Sequence, residues 1–391
     1  MKKLSRLLLL ALAAAFLGCL VGALSAGFLH FIDRSQKILW DVLAGGLPWE
    51  ALLLCSAGGL LIGLCQRYLG DHPKLLYEAI DTIRQTRRLD YTHLPQGIVT
   101  ASVSLIFGAS LGPEAAIIDL LGGLSTWAGD AIQSLRRRFD LPRPSGPGSR
   151  LVNLLRSWPN LIALVCGAFA FVRLLGGLYS DGFLQLAQPF QWSDLLWSVP
   201  AGLLGVAGGV LFLFFQTWTK RWMAPLHRRP VLRGVLSGVT LGVTALALPL
   251  VLFSGQHQLQ PAYDQAAELG FAVLFLTALA RLLLTNLLLA SGWKGGQFLP
   301  IMFASAALGL AFHALVPAFP ASVAALGAMA ALTAIVLPKP FIALILMALM
   351  FPIQYVGISI VAVGMVVAGK RVWERQTQLK NAGARLSPAG E

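Results

Sequence analysis

The chain has 391 residues, 57% of them hydrophobic and only 12% charged, and 30 Lys and Arg against 17 Asp and Glu leave a net charge of +13. Soluble domains carry roughly 25% charged residues, and a water-soluble globule of this size needs more polar surface than this chain has. Composition therefore excludes a cytosolic enzyme, a collagen, a disordered chain and a disulfide scaffold, and the long apolar runs read as membrane helices.

The first run opens behind Met1-Lys2-Lys3 and continues from Leu7 to Phe31. It is too long for the apolar stretch of a signal peptide and long enough to cross a bilayer, so it reads as a first membrane helix. Cys19, Cys55, Cys65 and Cys166 all lie inside apolar runs, with no CxxC pair and no zinc-ligand spacing. They read as small buried hydrophobes.

Lys and Arg fall in clusters along the chain: Lys2 to Arg6, Arg67 to Arg88, Arg136 to Arg156, Lys220 to Arg233, and Lys370 to Arg385. The positive-inside rule places all five in the cytoplasm. Ser180–Trp197 and Phe253–Gly270, which contain no Lys or Arg, fit the opposite side. The positive charge thus reads as topology and contact with anionic lipid, not as nucleic-acid binding.

Parity sharpens this. The second and third clusters share a side, yet only Pro95–Ile132 separates them, less than two spans of about 20 residues each. Two helices fit only if both are short or the chain turns back within the bilayer. The middle of the stretch is Gly108-Ala109-Ser110-Leu111-Gly112-Pro113-Glu114-Ala115-Ala116, where glycine breaks a helix and Pro113 suits the first turn of the next. A carboxylate therefore stands beside a helix N-terminus at membrane depth.

The second half carries a similar break. Phe271–Ala290 ends in Ser291-Gly292-Trp293-Lys294-Gly295-Gly296-Gln297-Phe298-Leu299-Pro300, and a helix resumes over Ile301–Val316 with proline at its start. Two broken helices in corresponding halves point to a transport site. The N–H groups and positive dipole ends of half-helices favour an anion there.

Arg281-xxx-Thr285 followed by Ser291-Gly292-xx-Gly295-Gly296-x-Phe298-x-Pro300 resembles the signature of the CLC chloride channel and transporter family. Leu111-Gly112-Pro113-Glu114 resembles that family's second motif, at a half-helix start. The resemblance covers the span from Tyr68 to Trp373 and implies a divergent, prokaryotic-type member. It also implies a homodimer with one pore in each subunit.

By that resemblance Glu114 is the gating glutamate. Gly112 and Pro113, with the backbone amides of Gln297, Phe298 and Leu299, hold the anion. Gly70-Asp71-His72-Pro73 lies where the family has Gly-Ser-Gly-Ile-Pro, so Gly70, Asp71 and His72, with Trp373, make a candidate inner site that lacks the family's serine. Trp373, rather than Tyr355, takes the place of the family's late pore tyrosine. Arg281, Ser291, Gly295 and Gly296 are structural or pathway residues. Family exchangers use a second, inward-facing glutamate, and this chain has none between Glu114 and Glu268.

Other readings of these residues are weaker. Glu114 could merely complement a helix dipole, worth about 0.3–1 kcal/mol, but ionisable groups at bilayer depth are costly and retained for function. Gly108-Ala109-Ser110-Leu111-Gly112 matches the G-x-S-x-G nucleophile elbow, which needs a strand before it, and here a membrane helix precedes it.

The expected protein is an all-α polytopic membrane protein of ten or more helical segments, not an enzyme. It is built as two inverted repeats with broken, re-entrant helices meeting at the midplane. One transmembrane domain covers 1–391, with a first repeat of about 1–219 and a second of about 220–372. Residues 374–391 form a short, unstructured cytoplasmic tail, and Ser134–Arg150 a loop. The expected activity is passive transport of a chloride-like anion. Proton-coupled antiport, including of fluoride, and secondary transport of another small solute are the alternatives. No cofactor, metal or nucleic acid is expected; the partners are the bilayer and a second copy, in a bacterial inner membrane with both termini cytoplasmic.

Overall fold

The structure, a computed structural model, describes residues 2–43, 49–72, 82, 85–86, 88–139, 158–175, 184–186 and 189–386. Helix α1 (Lys2–Lys37) runs into a π-helical turn (Ile38–Leu43). Then come α2 (Glu50–Tyr68), α3 (Leu94–Ile106), α4 (Glu114–Arg138) and α5 (Trp158–Leu175). Next are α6 (Asp194–Met223), α7 (Pro230–Ala247), the short α8 (Leu259–Asp264) and α9 (Ala266–Ala290). Helices α10 (Phe298–Leu315), α11 (Ala321–Val336), α12 (Pro340–Met350) and α13 (Val356–Leu386) complete the order.

Among the described residues eight helices are long and apolar enough to cross a membrane, and α3, α11 and α12 are shorter apolar helices. Large apolar side chains such as Leu12, Phe16, Phe169 and Leu349 face outward, which lipid tails accept and water would not. This is an integral membrane protein of all-α class.

The chain divides into two compact units that interleave in sequence. One comprises Met1–Ser180, Leu226–Leu246 and Ser291–Gly296, the other Asp181–Pro225, Ala247–Ala290 and Gln297–Glu391.

Between membrane helices no hydrophobic force acts, so close backbone packing of small residues takes its place. In the first unit Gly59 and Gly63 of α2 lie against Gly234, Gly238 and Val231 of α7, close enough that a β-carbon on Gly59 would collide with the Gly234 carbonyl. Gly18 and Gly22 of α1 meet Ala163 and Gly167 of α5 in the same way. Leu94, Ala101 and Leu105 of α3 pack on Ala116 and Leu120 of α4, with Phe28 and Ile32 of α1. Leu94 also reaches Gly123, so α3 and α4 form an antiparallel hairpin. At 13 residues and about 1.5 Å per residue, α3 is too short for a bilayer core of about 30 Å. The re-entrant turn follows.

The second unit centres on α10 and α11, buried from Leu299 to Ala311 and from Ser322 to Ala334. A helix that is apolar all round is a core helix. Gly309 of α10 lies against the Ala324 backbone, and Gly205 of α6 against Ala328 of α11. At Gly270 (φ 71°) α9 is interrupted, so its regular part begins at Phe271, where the apolar run does.

Three boundaries differ from expectation. Ser134–Arg138 is the last turn of α4 and not loop, since three arginines there suit a helix C-terminus; residues 140–150 lie outside the described residues. Helix α10 begins at Phe298, so Pro300 is its third residue, still within the first turn, where no N–H is needed. The tail continues α13 as helix to Leu386, as its Arg, Gln, Leu, Lys and Ala residues favour.

The glycine seams predict opposite outcomes for one substitution. Gly59→Ala should cost about 1–3 kcal/mol through overpacking. Gly27→Ala, at an exposed position of α1 with nothing within 4 Å of the added carbon, should be neutral or stabilise by up to about 1 kcal/mol. Thermal unfolding in detergent separates them.

Candidate anion-binding site

Both breaks expected from the sequence are present, and they share one backbone pattern. Helix α3 ends at Ile106 and Gly108 turns left-handed (φ 83°); α9 ends at Ala290 and Gly292 turns left-handed (φ 89°). Only glycine takes such angles without strain. Four residues further on, Gly112 and Gly296 pair as an isolated antiparallel bridge. Gly112 N donates to Gly296 O at 2.8 Å, and Gly296 N donates to Gly112 O at 2.6 Å. Two residues beyond the bridge α4 starts at Glu114 and α10 at Phe298. Each pair of equivalent residues has the same offset in sequence, and a reciprocal antiparallel pair is two-fold symmetric by construction. That is the local signature of an inverted repeat.

Pro113 precedes α4 with φ −74°, and no side chain caps the helix. Its start consists of Glu114, Ala115 and Ala116, so the N-terminal amides and dipole are offered to an anion rather than to a serine or aspartate cap. Glu114 is half-buried, and its carboxylate lies folded back over the bridge. A β-carbon built on either Gly112 or Gly296 would collide with Glu114 Oε2. The structure thus brings Gly112, Pro113, Glu114, Gly295 and Gly296 together.

Gln297, Phe298 and Leu299 follow the bridge directly and open α10, again with no side-chain cap. Gln297 and Leu299 are buried, Phe298 half-buried.

The segment 291–296 is pinned by its neighbours in the first unit. Trp293 is fully buried, donates Nε1–H to Ser237 Oγ at 2.9 Å and touches α2 at Gly58. Gln66 of α2 approaches Gly292 so closely that no side chain fits there, donates to the Ser291 carbonyl at 3.4 Å, and accepts from Arg233 Nη2 at 2.6 Å. Ser291 is fully buried.

Asp71 is not alone in its loop. Its carboxylate receives the Lys294 ammonium at 2.7 Å; the lysine side chain is 6% exposed and the aspartate 84%. Partial desolvation raises the Asp71 carboxyl. The Lys294 charge and hydrogen bond, with Arg233 and His72 adding to them, more than reverse this and hold it below the usual carboxylate range. The pair is therefore intact at neutral pH and fades as pH falls through that lowered value. With solvent over most of the carboxylate, its contribution to stability is small. His72 stacks on His93 at 4.4 Å. Gly70 (φ 85°) supplies the turn. The sequence reading missed Lys294, Gln66 and Arg233 as members of this cluster. A lysine inside a membrane-depth break was the available signal for the first.

In the second unit Arg281 is fully buried. Its guanidinium donates to the carbonyls of Leu250 and Leu252 and to Gln258 Oε1 at 2.7–3.1 Å, and lies 4.2 Å over the Phe303 ring. These contacts tie the 250–258 segment to α9 and α10. Trp373 lies on α13; its side chain, like Pro73, falls outside the described residues. Tyr355 is buried and meets Phe190 edge-on. Among the described residues no group of three His, Cys, Asp or Glu could hold a metal.

The family model for the voltage gated chloride channel matches residues 149–370, more than half of the chain. The chain belongs to the voltage-gated chloride channel (CLC) family. Relatives named ion-transport protein YfeO agree. That of Escherichia fergusonii is 25% identical over 81% of this chain and 82% of its own length, and that of Escherichia coli is 25% identical over 88% and 89%. This CLC chain also shares its fold with the crystal structure of a slow cyanobacterial Cl−/H+ antiporter (TM-score 0.67, 20% identity, 95% of this chain and 99% of that one). A CLC-type fluoride/proton antiporter is a further match (TM-score 0.63, 18% identity, 92% and 94%).

The two glycines after Lys294 should respond differently. Gly295→Ala places its methyl 2.7 Å from Leu111 Cβ and 3.0 Å from the Gly112 carbonyl. It should distort the bridge and lower the Tm of the purified protein by several degrees, the shift about 1–3 kcal/mol produces. Gly296→Ala meets chiefly the movable end of Glu114. It should fold with nearly unchanged Tm but expel the carboxylate, so its flux phenotype should resemble that of a Glu114 variant.

Proposed function

We propose that this protein carries a small inorganic anion, chloride-like, across the membrane through a pathway at the start of α4, gated by the Glu114 carboxylate. The observation that carries this reading is the placement of that carboxylate. It lies over the Gly112–Gly296 bridge at an uncapped helix N-terminus, where an anion would compete with it for the same amides and dipole. Gating is then a competition between a tethered anion and a free one. Family membership supports the same cargo class, and the lipid bilayer and a second copy of the chain are the partners we assign. The bacterial relatives support a bacterial inner membrane, and the charge clusters support cytoplasmic termini.

In this reading transport is uncoupled from protons, because the chain has no glutamate between Glu114 and Glu268 to serve as a second carrier. A proton-coupled antiport is the second reading, favoured by the two solved structures that share the fold, both of which are proton antiporters.

Purified protein in liposomes, with chloride, fluoride and proton movement recorded together, tests both. Wild type should release anion without taking up protons. Glu114→Gln, which removes the competing charge, should raise efflux about tenfold, the effect of 1.4 kcal/mol of lost competition. Proton movement in step with the anion would overturn the uncoupled reading. An absence of anion flux in both proteins would overturn the transport assignment.

A further inference from the structure

We propose that Lys294 is a second anion-binding residue, and that Asp71 is its tethered occupant, holding the ammonium until a free monovalent anion replaces it. This inference rests on the anion-transport reading and concerns a separate pair of residues on the same pathway.

The pair is asymmetric in the way such a site requires. Lys294 is fixed: its side chain is 6% exposed, and its segment is held by buried Trp293 on one side and the Gly112–Gly296 bridge on the other. Asp71 is not fixed: its side chain is 84% exposed, on a loop that turns at Gly70 with φ 85°. A buried cation cannot stay unpaired without a large cost, whereas an exposed carboxylate leaves for water at little cost. When Asp71 swings out, Lys294 requires another anion.

The local charge balance points the same way. Lys294 and Arg233 both act on the one carboxylate of Asp71, an excess of positive charge that one monovalent anion offsets. The remaining titratable groups do not change this. His72 stacks on His93, His227 lies against Arg233, and the Asp90 carboxylate accepts from Thr92. Three residues before the lysine in sequence, Ser291 is fully buried and its hydroxyl has no hydrogen-bond partner among the described residues, a donor suited to an anion. Lys294 stands two residues before Gly296, at most about 7 Å along the chain. One six-residue segment thus faces two carboxylates, Glu114 over its end and Asp71 at its middle. By the charge topology, Asp71 lies toward the cytoplasm.

The test is thermal unfolding of purified protein titrated with sodium chloride against sodium gluconate, run beside liposome flux. Asp71→Asn should show a chloride-dependent rise in Tm with a half-saturating concentration about tenfold below that of wild type. Asp71→Glu, which keeps a tethered carboxylate, should remain like wild type. Lys294→Gln in the Asp71→Asn background should abolish that gain and leave only the weaker chloride dependence of the Glu114 site; should that protein not fold, Lys294→Arg in the same background should retain the gain. Equal chloride dependence in wild type and Asp71→Asn, or a gain in Asp71→Glu as large as in Asp71→Asn, would overturn the proposal. Loss of the gain in the arginine variant, or its survival in the glutamine variant, would overturn it too. A chloride gain in Asp71→Asn without flux in any variant would support the site and refute transport.

Discussion

Two backbone hydrogen bonds between Gly112 and Gly296 are the constraint from which the site follows. A helix broken at membrane depth leaves N–H and C=O groups that lipid cannot satisfy, each at a cost of several kcal/mol. The chain breaks twice, after α3 and after α9, and each break supplies partners for the other. Neither paired residue carries a β-carbon, and the Glu114 carboxylate occupies the space that one would take. The pairing also sets the register of both following helices, so the first residue of α4 and the first residue of α10 stand equally far beyond it. The half-helix starts, the carboxylate and the lysine all take their positions from that register.

Charge in so apolar a chain is handled in three ways. Arg281 has carbonyl oxygens, an amide and a ring around it, which tie a loop to a core helix. Lys294 is buried and meets a carboxylate that water can draw away. Glu114 sits at a helix start, where its charge is favourable but not unique, since any anion of suitable size answers the same dipole. The first arrangement is rigid and structural. In the proposed function the other two exchange with a free anion, which is what transport needs.

Much of this was legible along the chain. The breaks could be read because Gly108, Gly112, Gly292 and Gly296 forbid regular helix in the middle of apolar runs, and because the short stretch Pro95–Ile132 lies between two basic clusters. The resemblance of the Ser291–Pro300 and Leu111–Glu114 motifs supplied the family, and with it a role for Glu114. Less legible were the ends of elements. Ser134–Arg138 reads as loop because Pro142, Pro144 and Pro147 follow it closely, yet a helix that leaves the bilayer continues for a turn in water. Pro300 suggested the first helical position, but a first turn accepts proline at its third residue as well.

What the residues alone determined is the class, the membrane-spanning runs and the two breaks, since these depend on local chemistry: hydropathy over a run and the backbone limits of glycine and proline. What only the tertiary structure decided is which groups meet. That Gly112 pairs with Gly296, that Trp293 seats itself against Ser237, and that Asp71 faces Lys294 are contacts between residues far apart in sequence. Composition and spacing are silent on such contacts, because burial and register are properties of the packed helices and not of any one of them.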